Sequence, residues 1–361
     1  MTKIHELHQL GQSIWYDNIN RGMLKSGEIQ ALIDKGVCGM TSNPTIFEKA
    51  ITGGSDYDDD LRTLQAAGKS PMEIFEGLAI DDISTAADLL RPIYDESNGA
   101  DGYISLEVSP ELARDAQGTI NAVHRYAKTL NRPNVMFKIP ATPEGIPAVQ
   151  HCISEGYSIN ITLMFSLDHY NAVTEAYISG LEKLAESGGD VSKVASVASF
   201  FISRVDAKVD AALQAKGNKA LQGKIAIANA KLTYARFQEV FSGARWEKLA
   251  SRGAQVQRPL WASTGTKNPD YSDTLYVDTL IGAHTVNTVP TETLQAVLDH
   301  ARTDHATVTD HLEEAQQQIV ELMELGINLD AITEELQEEG VEKFAQSFHS
   351  LLESIKEKQP V

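Results

Sequence analysis

Residues 135 to 140 form an apolar run that contains one lysine and ends at a proline, Val135-Met136-Phe137-Lys138-Ile139-Pro140. A short apolar run of this kind predicts a buried strand. A lysine is seldom fully buried without a partner, and burial disfavours its charged form. A neutral amine is what Schiff-base chemistry on a carbonyl compound requires. The alternative is that Lys138 extends along the strand end and keeps its charge in water.

Seven further runs of this kind occur along the chain, and longer helical patterns separate them. The eight predicted strands are residues 13–17, 39–43, 103–107, 135–138, 159–163, 194–199, 260–263 and 285–287. Strands that alternate with helices pair in parallel. Eight such units in 361 residues therefore predict the α/β class and a single (β/α)8 TIM barrel.

Helical patterns cover residues 110–130, 144–155, 167–186, 222–241 and 291–301. Each of the two long intervals, 43–107 and 199–263, is expected to hold one extra helix, such as 71–90. From about residue 303 the chain is acidic and helical, and its apolar spacing predicts amphipathic helices packed outside the barrel. We predict one domain, 1–361, with a barrel core of about 11–302 and a helical extension of about 303–361. Closure of the barrel bottom and a subunit contact are the two roles considered for this extension.

The formal net charge of −19 argues against nucleic acid or an anionic membrane as the main partner. Cys38 and Cys152 are expected to be buried reduced thiols, as is usual for a cytoplasmic protein. The sequence has no signal-peptide core and no run of 18 uncharged apolar residues, so a soluble cytoplasmic protein is expected. Either a monomer or a homodimer fits the sequence.

The active site of such a barrel lies at the carboxyl ends of its strands. The predicted ends are Asp17, Asn43, Glu107, Lys138, Thr162, Ser199, Ser263 and Asn287. Strands often end on polar residues because loops are solvated, but this does not explain a buried lysine flanked by two acids. We therefore predict that these side chains converge on one site.

This set of residues fits a reaction on a ketone. Lys138 would attack the carbonyl carbon and form a protonated Schiff base. Glu107, with the hydroxyl of Thr162, would relay protons through an ordered water, and Asp17 would remove a hydroxyl proton during carbon–carbon cleavage. The alternative for Asp17 is a helix cap, because Asp17-Asn18 begins a turn.

An anion site is expected next to these residues. Arg204 lies five residues after Ser199, and Ser263 precedes the loop Thr264-Gly265-Thr266-Lys267-Asn268. Backbone N–H groups and a lysine in such a loop can hold a phosphate.

No metal site and no cofactor are predicted. His5 and His8 could share a helix face, but a solvated N-terminal helix explains them better than a zinc site. Cys38 has no evident histidine partner, and neither a dinucleotide-binding motif nor a nucleophile elbow is present.

Two segments resemble the signature segments of transaldolases, Gly39-Met40-Thr41-Ser42-Asn43-Pro44-Thr45-Ile46-Phe47 and Val135-Met136-Phe137-Lys138-Ile139-Pro140-Ala141-Thr142. Asp17, Glu107, the segment 159–166, Ser199 and Arg204 follow in the order of that family. The resemblance covers about residues 10–290, and the helical extension is similar to that of the longer bacterial members.

The resemblance implies a barrel with Lys138 as the Schiff-base lysine, Asp17 as the acid/base of cleavage, and Glu107 with Thr162 around the catalytic water. It implies eight substrate-binding residues: Thr41, Asn43, Asn160, Ser199, Phe201, Arg204, Ser263 and Lys267. The implied reaction moves a dihydroxyacetone unit from sedoheptulose 7-phosphate to glyceraldehyde 3-phosphate in the pentose phosphate pathway, giving erythrose 4-phosphate and fructose 6-phosphate, without a cofactor. Many relatives have a serine-aromatic-arginine run after the seventh strand, so Lys267 is the candidate replacement for that arginine.

Two other functions compete with this interpretation. Related sugar-phosphate aldolases release the three-carbon unit to solvent, but they tend to carry glutamine and tyrosine where this chain has Glu107 and Phe201. A non-catalytic sugar-phosphate sensor would not need a buried lysine at position 138.

Overall fold

Eight parallel strands close into a barrel in which each strand pairs with the next along the chain, and the last pairs with the first. The computed structural model describes residues 1–358. The strands are β1 Gln12–Tyr16, β2 Gly39–Thr41, β3 Tyr103–Glu107, β4 Val135–Pro140, β5 Ile159–Met164, β6 Ser196–Phe201, β7 Arg258–Ala262 and β8 Thr285–Val289. The predicted (β/α)8 TIM barrel is confirmed.

Sixteen α-helices surround the barrel in the part of the chain that the structure describes. They are α1 Lys3–Gln9, α2 Arg21–Ser26, α3 Glu28–Asp34, α4 Pro44–Thr52, α5 Asp58–Ala66, α6 Pro71–Glu96, α7 Ala116–Leu130, α8 Gly145–Ser154, α9 Leu167–Glu186, α10 Ser203–Ala215, α11 Ile225–Val240, α12 Ala244–Ala250, α13 Leu275–Asp278, α14 Thr291–His300, α15 Leu312–Glu324 and α16 Leu329–Glu357. Short 3-10 helices lie at Pro110–Leu112 and Val191–Lys193. Within residues 1–358, no helix combines the length and the apolar character needed to cross a membrane.

Several predicted boundaries are wrong. The single helix expected over 110–130 is divided, because Asp115 begins α7 by accepting a hydrogen bond of 2.9 Å from the backbone N–H of Gly118. Each long interval holds three helices, α4 to α6 and α10 to α12, and therefore two more than the one helix of a regular βα unit. Strand β8 continues two residues past the predicted end at Asn287.

A hydrogen-bonded network fills the amino-terminal end of the barrel around Asp101. Its carboxylate accepts hydrogen bonds from Nε1 of Trp15 at 2.7 Å, from the hydroxyl of Ser13, and from Nη1 of Arg258 at 3.3 Å. Burial raises the pKa of Asp101, but the Arg258 guanidinium and these donors outweigh burial and hold the pKa below its ordinary value. The charges at this end are therefore neutralised within the protein.

Cys38 and His8 belong to the same network. Two predictions are therefore wrong: that Cys38 has no histidine partner, and that His8 lies on a solvated helix. Sγ of Cys38 lies 3.4 Å from Nε2 of His8 and 3.3 Å from Oδ2 of Asp101, so the cysteine does have a histidine neighbour. Helix α1 packs on the barrel, and His8 is half-buried instead of solvated. Burial raises the pKa of the Cys38 thiol well above its ordinary value and lowers the pKa of His8. This pair therefore lacks the thiolate that a nucleophilic cysteine requires.

The C-terminal extension does not close the bottom of the barrel. Helix α15 packs on α11 outside the barrel, as predicted, whereas α16 crosses the carboxyl ends of the strands. The amide of Gln337 donates hydrogen bonds to the carbonyl oxygens of Ala141 at 3.0 Å and Leu163 at 2.9 Å. These carbonyls lie at the ends of β4 and β5. Because α16 also packs on α4, α6 and α10, we propose that the barrel and the extension fold as one domain.

A buried carboxyl connects α10 with its neighbours. Asp206 is 1% exposed, accepts a hydrogen bond of 2.8 Å from the backbone N–H of Ala226, and accepts another of 2.9 Å from the hydroxyl of Tyr276. Burial raises the pKa of Asp206 from 3.8 to about 6, against the effect of both donors. Between these two values the folded state holds a proton that the unfolded state has lost.

Asp206 should therefore make the free energy of unfolding fall as the pH rises from about 4 to about 6, by up to about 3 kcal/mol. Asp206→Asn removes the titrating carboxyl. The free energy of unfolding of this variant, relative to that of the native protein, should therefore rise over the same pH interval. Urea unfolding at a series of pH values measures the difference, with the surface variant Asp34→Asn as control. A difference between Asp206→Asn and the native protein that does not change with pH would contradict the assignment.

Candidate active site

A cavity of ≈ 350 Å³ opens at the carboxyl ends of the strands, beneath α16. Ten of the twelve predicted site residues line it: Asp17, Thr41, Asn43, Lys138, Thr162, Ser199, Phe201, Arg204, Ser263 and Lys267. Glu107 and Asn160 do not line it, but each contacts residues that do. The barrel thus brings the predicted set together from strands and loops that are distant in sequence.

Strand register fixes the central pair of the site. Glu107 and Lys138 are partners in the ladder between β3 and β4, at adjacent strand ends. Oε2 of Glu107 lies 3.2 Å from Nζ of Lys138, and Nζ also donates to the carbonyl oxygen of Ser42 at 3.4 Å. Lys138 is 5% exposed and Glu107 9% exposed. The lysine does not extend into water, so the alternative of a solvated ammonium group is wrong.

The environment favours the protonated form of Glu107. Burial raises the pKa of Glu107 above its ordinary value, the charge of Lys138 opposes this rise, and the nearby carboxylate of Asp17 adds to it. A carboxyl whose pKa is raised is a better proton donor than an ordinary glutamate, which suits a role in proton transfer.

Asp17 lies one residue beyond β1 and is half-buried at the cavity wall. Its Oδ1 accepts a hydrogen bond of 2.7 Å from the hydroxyl of Thr41, and that hydroxyl lies 2.7 Å from the hydroxyl of Thr288. The helix that follows is capped by Asn20, whose side chain accepts from the backbone N–H of Met23 at 2.8 Å. The alternative role of Asp17 as the cap of this helix is therefore wrong.

Polar side chains form a layer below the cavity. Asn160, which is fully buried, donates from Nδ2 to the hydroxyl of Ser105 at 2.9 Å and accepts from the hydroxyl of Ser199 at 2.7 Å. Asn160 thus supports Ser199 from beneath. The hydroxyl of Thr162 is also buried and has no hydrogen-bond partner within residues 1–358. It is free to bind a ligand or a water in the cavity.

Three cations at the cavity have no carboxylate partner among the described residues: Arg204, Lys267 and Lys49. Most other arginines of the chain form ion pairs, such as Arg21 with Asp82 and Arg132 with Asp88. Burial lowers the pKa of Arg204, and nearby carboxylates oppose this only from a distance. In a chain of net charge −19, an unpaired cluster of this kind indicates an anion site.

The sequence prediction missed several residues of the cavity. Lys49 lies on α4, and Phe344 reaches the cavity from α16, which was expected outside the barrel. The predicted strand end Asn287 does not line the cavity, because β8 continues and Thr288 faces the site instead. Asn287 instead accepts a hydrogen bond of 2.8 Å from Thr264. The alternation of side chains along a strand could have identified Thr288, had the strand end been known.

One group of possible metal ligands lies elsewhere, on the outer surface. His124 on α7 and His151 on α8 both contact the carboxylate of Glu155, at 2.6 and 3.4 Å. All three side chains are exposed by at least a third, and none lines the cavity. They are part of the helical surface rather than of the site.

Comparison with known proteins agrees with this geometry. The family described as Transaldolase/Fructose-6-phosphate aldolase matches residues 14–355. The chain is 46% identical over 368 residues to the transaldolase of Trichodesmium erythraeum, covering 98% of this chain and 96% of that protein. It is 46% identical over 358 residues to the transaldolase of Thermobifida fusca, covering 98% and 97%. The similarity extends well past residue 290, into the C-terminal extension. The chain therefore belongs to the transaldolase family.

Proposed function

We propose that this protein is a transaldolase, an enzyme that transfers an aldehyde or ketone group, and that it works through a Schiff base on Lys138. The three-carbon dihydroxyacetone unit would pass from sedoheptulose 7-phosphate to glyceraldehyde 3-phosphate, giving erythrose 4-phosphate and fructose 6-phosphate. The reaction would take place in the cytoplasm as part of the pentose phosphate pathway. The observation that carries the proposal is a buried lysine in contact with a buried carboxyl at the mouth of the barrel.

The first step uses the pair Lys138 and Glu107. Nζ of Lys138 adds to the ketone carbon, and loss of water from the carbinolamine gives a protonated Schiff base. Glu107 would supply and remove the protons through a water held with the unpartnered hydroxyl of Thr162. The proposed water would give the buried hydroxyl of Thr162 a hydrogen-bond partner, and it would exchange protons with a carboxyl whose pKa burial has raised.

Cleavage needs a base at a second position. The proton to be removed belongs to the hydroxyl two carbons from the imine, and its loss breaks the carbon–carbon bond between them. Asp17 fits this role because its carboxylate faces the cavity and is held by Thr41. The electron pair of the broken bond then becomes part of an enamine attached to Lys138.

The remaining residues would bind the sugar. The amide of Asn43 caps α4 through its Oδ1, which accepts from Ile46 at 3.0 Å, so its Nδ2 is available to a hydroxyl. Ser199 would bind a second hydroxyl, with Asn160 fixing its orientation. Arg204, Ser263 and Lys267 are proposed to bind the phosphate, since all three line the cavity.

The enamine has two possible fates. Transfer requires it to add to an aldehyde, whereas an aldolase protonates it and releases dihydroxyacetone. Phe201 lies 6% exposed at the cavity and offers no proton. The carboxyl at position 107 and the phenyl ring at position 201 both favour transfer.

Borohydride reduction in the presence of fructose 6-phosphate should attach a reduced three-carbon adduct to Lys138, because reduction traps the iminium form. Peptide mass mapping identifies the labelled residue. Lys138→Ala should lose both the adduct and the activity, whereas Lys267→Ala should keep the adduct at Lys138. An adduct on another lysine, or none, would overturn the mechanism and leave the sugar-phosphate sensor as the better function.

Asp17→Asn should form the Schiff base without cleaving it, because the amide keeps an oxygen for Thr41 but cannot take a proton. We expect turnover to fall by about a hundredfold to ten-thousandfold. Borohydride trapping should then recover mainly the intact six-carbon sugar phosphate on Lys138 instead of the three-carbon adduct. Normal turnover in this variant would show that another group is the base.

Dihydroxyacetone release measured with and without an aldehyde acceptor should distinguish transferase from aldolase. We expect fast conversion of fructose 6-phosphate when erythrose 4-phosphate is present and only slow dihydroxyacetone release when it is absent. Equal rates in both conditions would identify an aldolase, even if the Schiff base is found on Lys138.

A further inference from the structure

Helix α16 is held against the catalytic strands by one face. Gln337, which is 3% exposed, donates both amide protons to the carbonyls of Ala141 and Leu163. One turn later, a Cβ added at Gly340 would lie 2.8 Å from Cδ2 of Leu163, so the helix approaches the end of β5 as closely as a glycine allows. Leu163 itself has φ +58°, beside a bulge in the pairing of β5 with β6. The contact between Gly340 and Leu163 therefore sets the distance between α16 and the carboxyl end of β5.

Phe344 lies on the same face, one turn beyond Gly340, and is 7% exposed. Its ring centre lies 5.8 Å from Nζ of Lys138 and 5.8 Å from Cζ of Arg204. The guanidinium of Arg204 also lies 4.9 Å from the ring centre of Phe201. Two phenyl rings, one from β6 and one from α16, therefore contact the same unpaired cation.

We propose that Phe344 is a positioning residue of the transaldolase reaction with two separable effects, which rests on the proposed function. Its ring orients Arg204 for the substrate phosphate, since cations are attracted to the face of a phenyl ring. Its volume covers Lys138 and keeps bulk water from the enamine.

The second effect concerns how the three-carbon unit leaves Lys138. When water protonates the enamine carbon, an iminium ion forms. A second water adds to it, and the carbon–nitrogen bond breaks to give dihydroxyacetone and the free amine. When an aldehyde takes the carbon instead, the three-carbon unit is transferred. Phe344 lies over Nζ of Lys138, where the ring would keep bulk water from protonating the enamine carbon and would so favour transfer.

Substitutions at position 344 separate the two effects. Phe344→Ala removes ring and volume, so KM for fructose 6-phosphate should rise about tenfold. The fraction of dihydroxyacetone released at saturating acceptor should rise as well. Phe344→Leu keeps most of the volume but not the ring, so KM should rise similarly while release stays close to that of the native protein.

His349→Ala is the matched control, because His349 lies on the exposed face of the same helix and its one side-chain hydrogen bond within residues 1–358 is with Glu111, at 3.0 Å. It should change neither KM nor release, and thermal unfolding of all three variants checks the fold. The inference is overturned if Phe344→Ala behaves like His349→Ala, or if Phe344→Leu and Phe344→Ala give equal release. If the native protein forms no borohydride adduct on Lys138, the proposed function fails instead, and the two failures are thus distinguishable.

Discussion

The contact between Lys138 and Glu107 is the interaction on which the rest of the site depends. Burying an amine and a carboxyl costs free energy unless each has a polar partner, and close contact between the two offsets that cost. The register of β3 and β4 makes the pairing possible, because it places the two residues side by side. Loss of either side chain would leave the other one buried without its polar partner. Reaction with a ketone converts the amine of Lys138 into an iminium ion, whose positive charge then lies beside the carboxyl of Glu107, so the contact suits the proposed covalent catalysis.

The C-terminal extension contributes to the site because its helix α16 lies over Lys138 and Glu107. The carboxyl end of a barrel is open to solvent unless a further segment of the chain covers it. Helix α16 provides the cover with Phe344, and Gln337 satisfies the two strand-end carbonyls that the helix buries. Pairing those carbonyls avoids the cost of burying unpartnered acceptors. The extension thus contributes Phe344 to the candidate active site, and the family match also includes this part of the chain, up to residue 355.

The sequence predicted the barrel and most of the cavity for a physical reason. Parallel strands bring their carboxyl ends to one rim, so a polar residue at the end of an apolar run, such as Thr162 or Ser199, lies at the site wherever the run is correctly bounded. The prediction was wrong where the end of a strand was misplaced, as at Asn287. It was also wrong where tertiary packing, and not the local sequence, decides which residues line the cavity. The apolar face of α16 could be read from its periodicity, but no local pattern states which surface that face covers. For this reason, the sequence alone could not predict that Phe344 lines the cavity.

The arginines at the two ends of the barrel have opposite surroundings, and the difference distinguishes a residue that supports the fold from one that is available to a ligand. At the amino-terminal end, Arg258 contacts Asp101, and neighbouring donors complete the network. At the carboxyl end, Arg204 is half-buried beside the rings of Phe201 and Phe344 and has no ion-pair partner among the described residues. A guanidinium tolerates such surroundings because its charge is delocalised and weakly hydrated. The two ring contacts position Arg204 without using its N–H groups, whereas an ion pair at that position would compete with the proposed phosphate for the same donors.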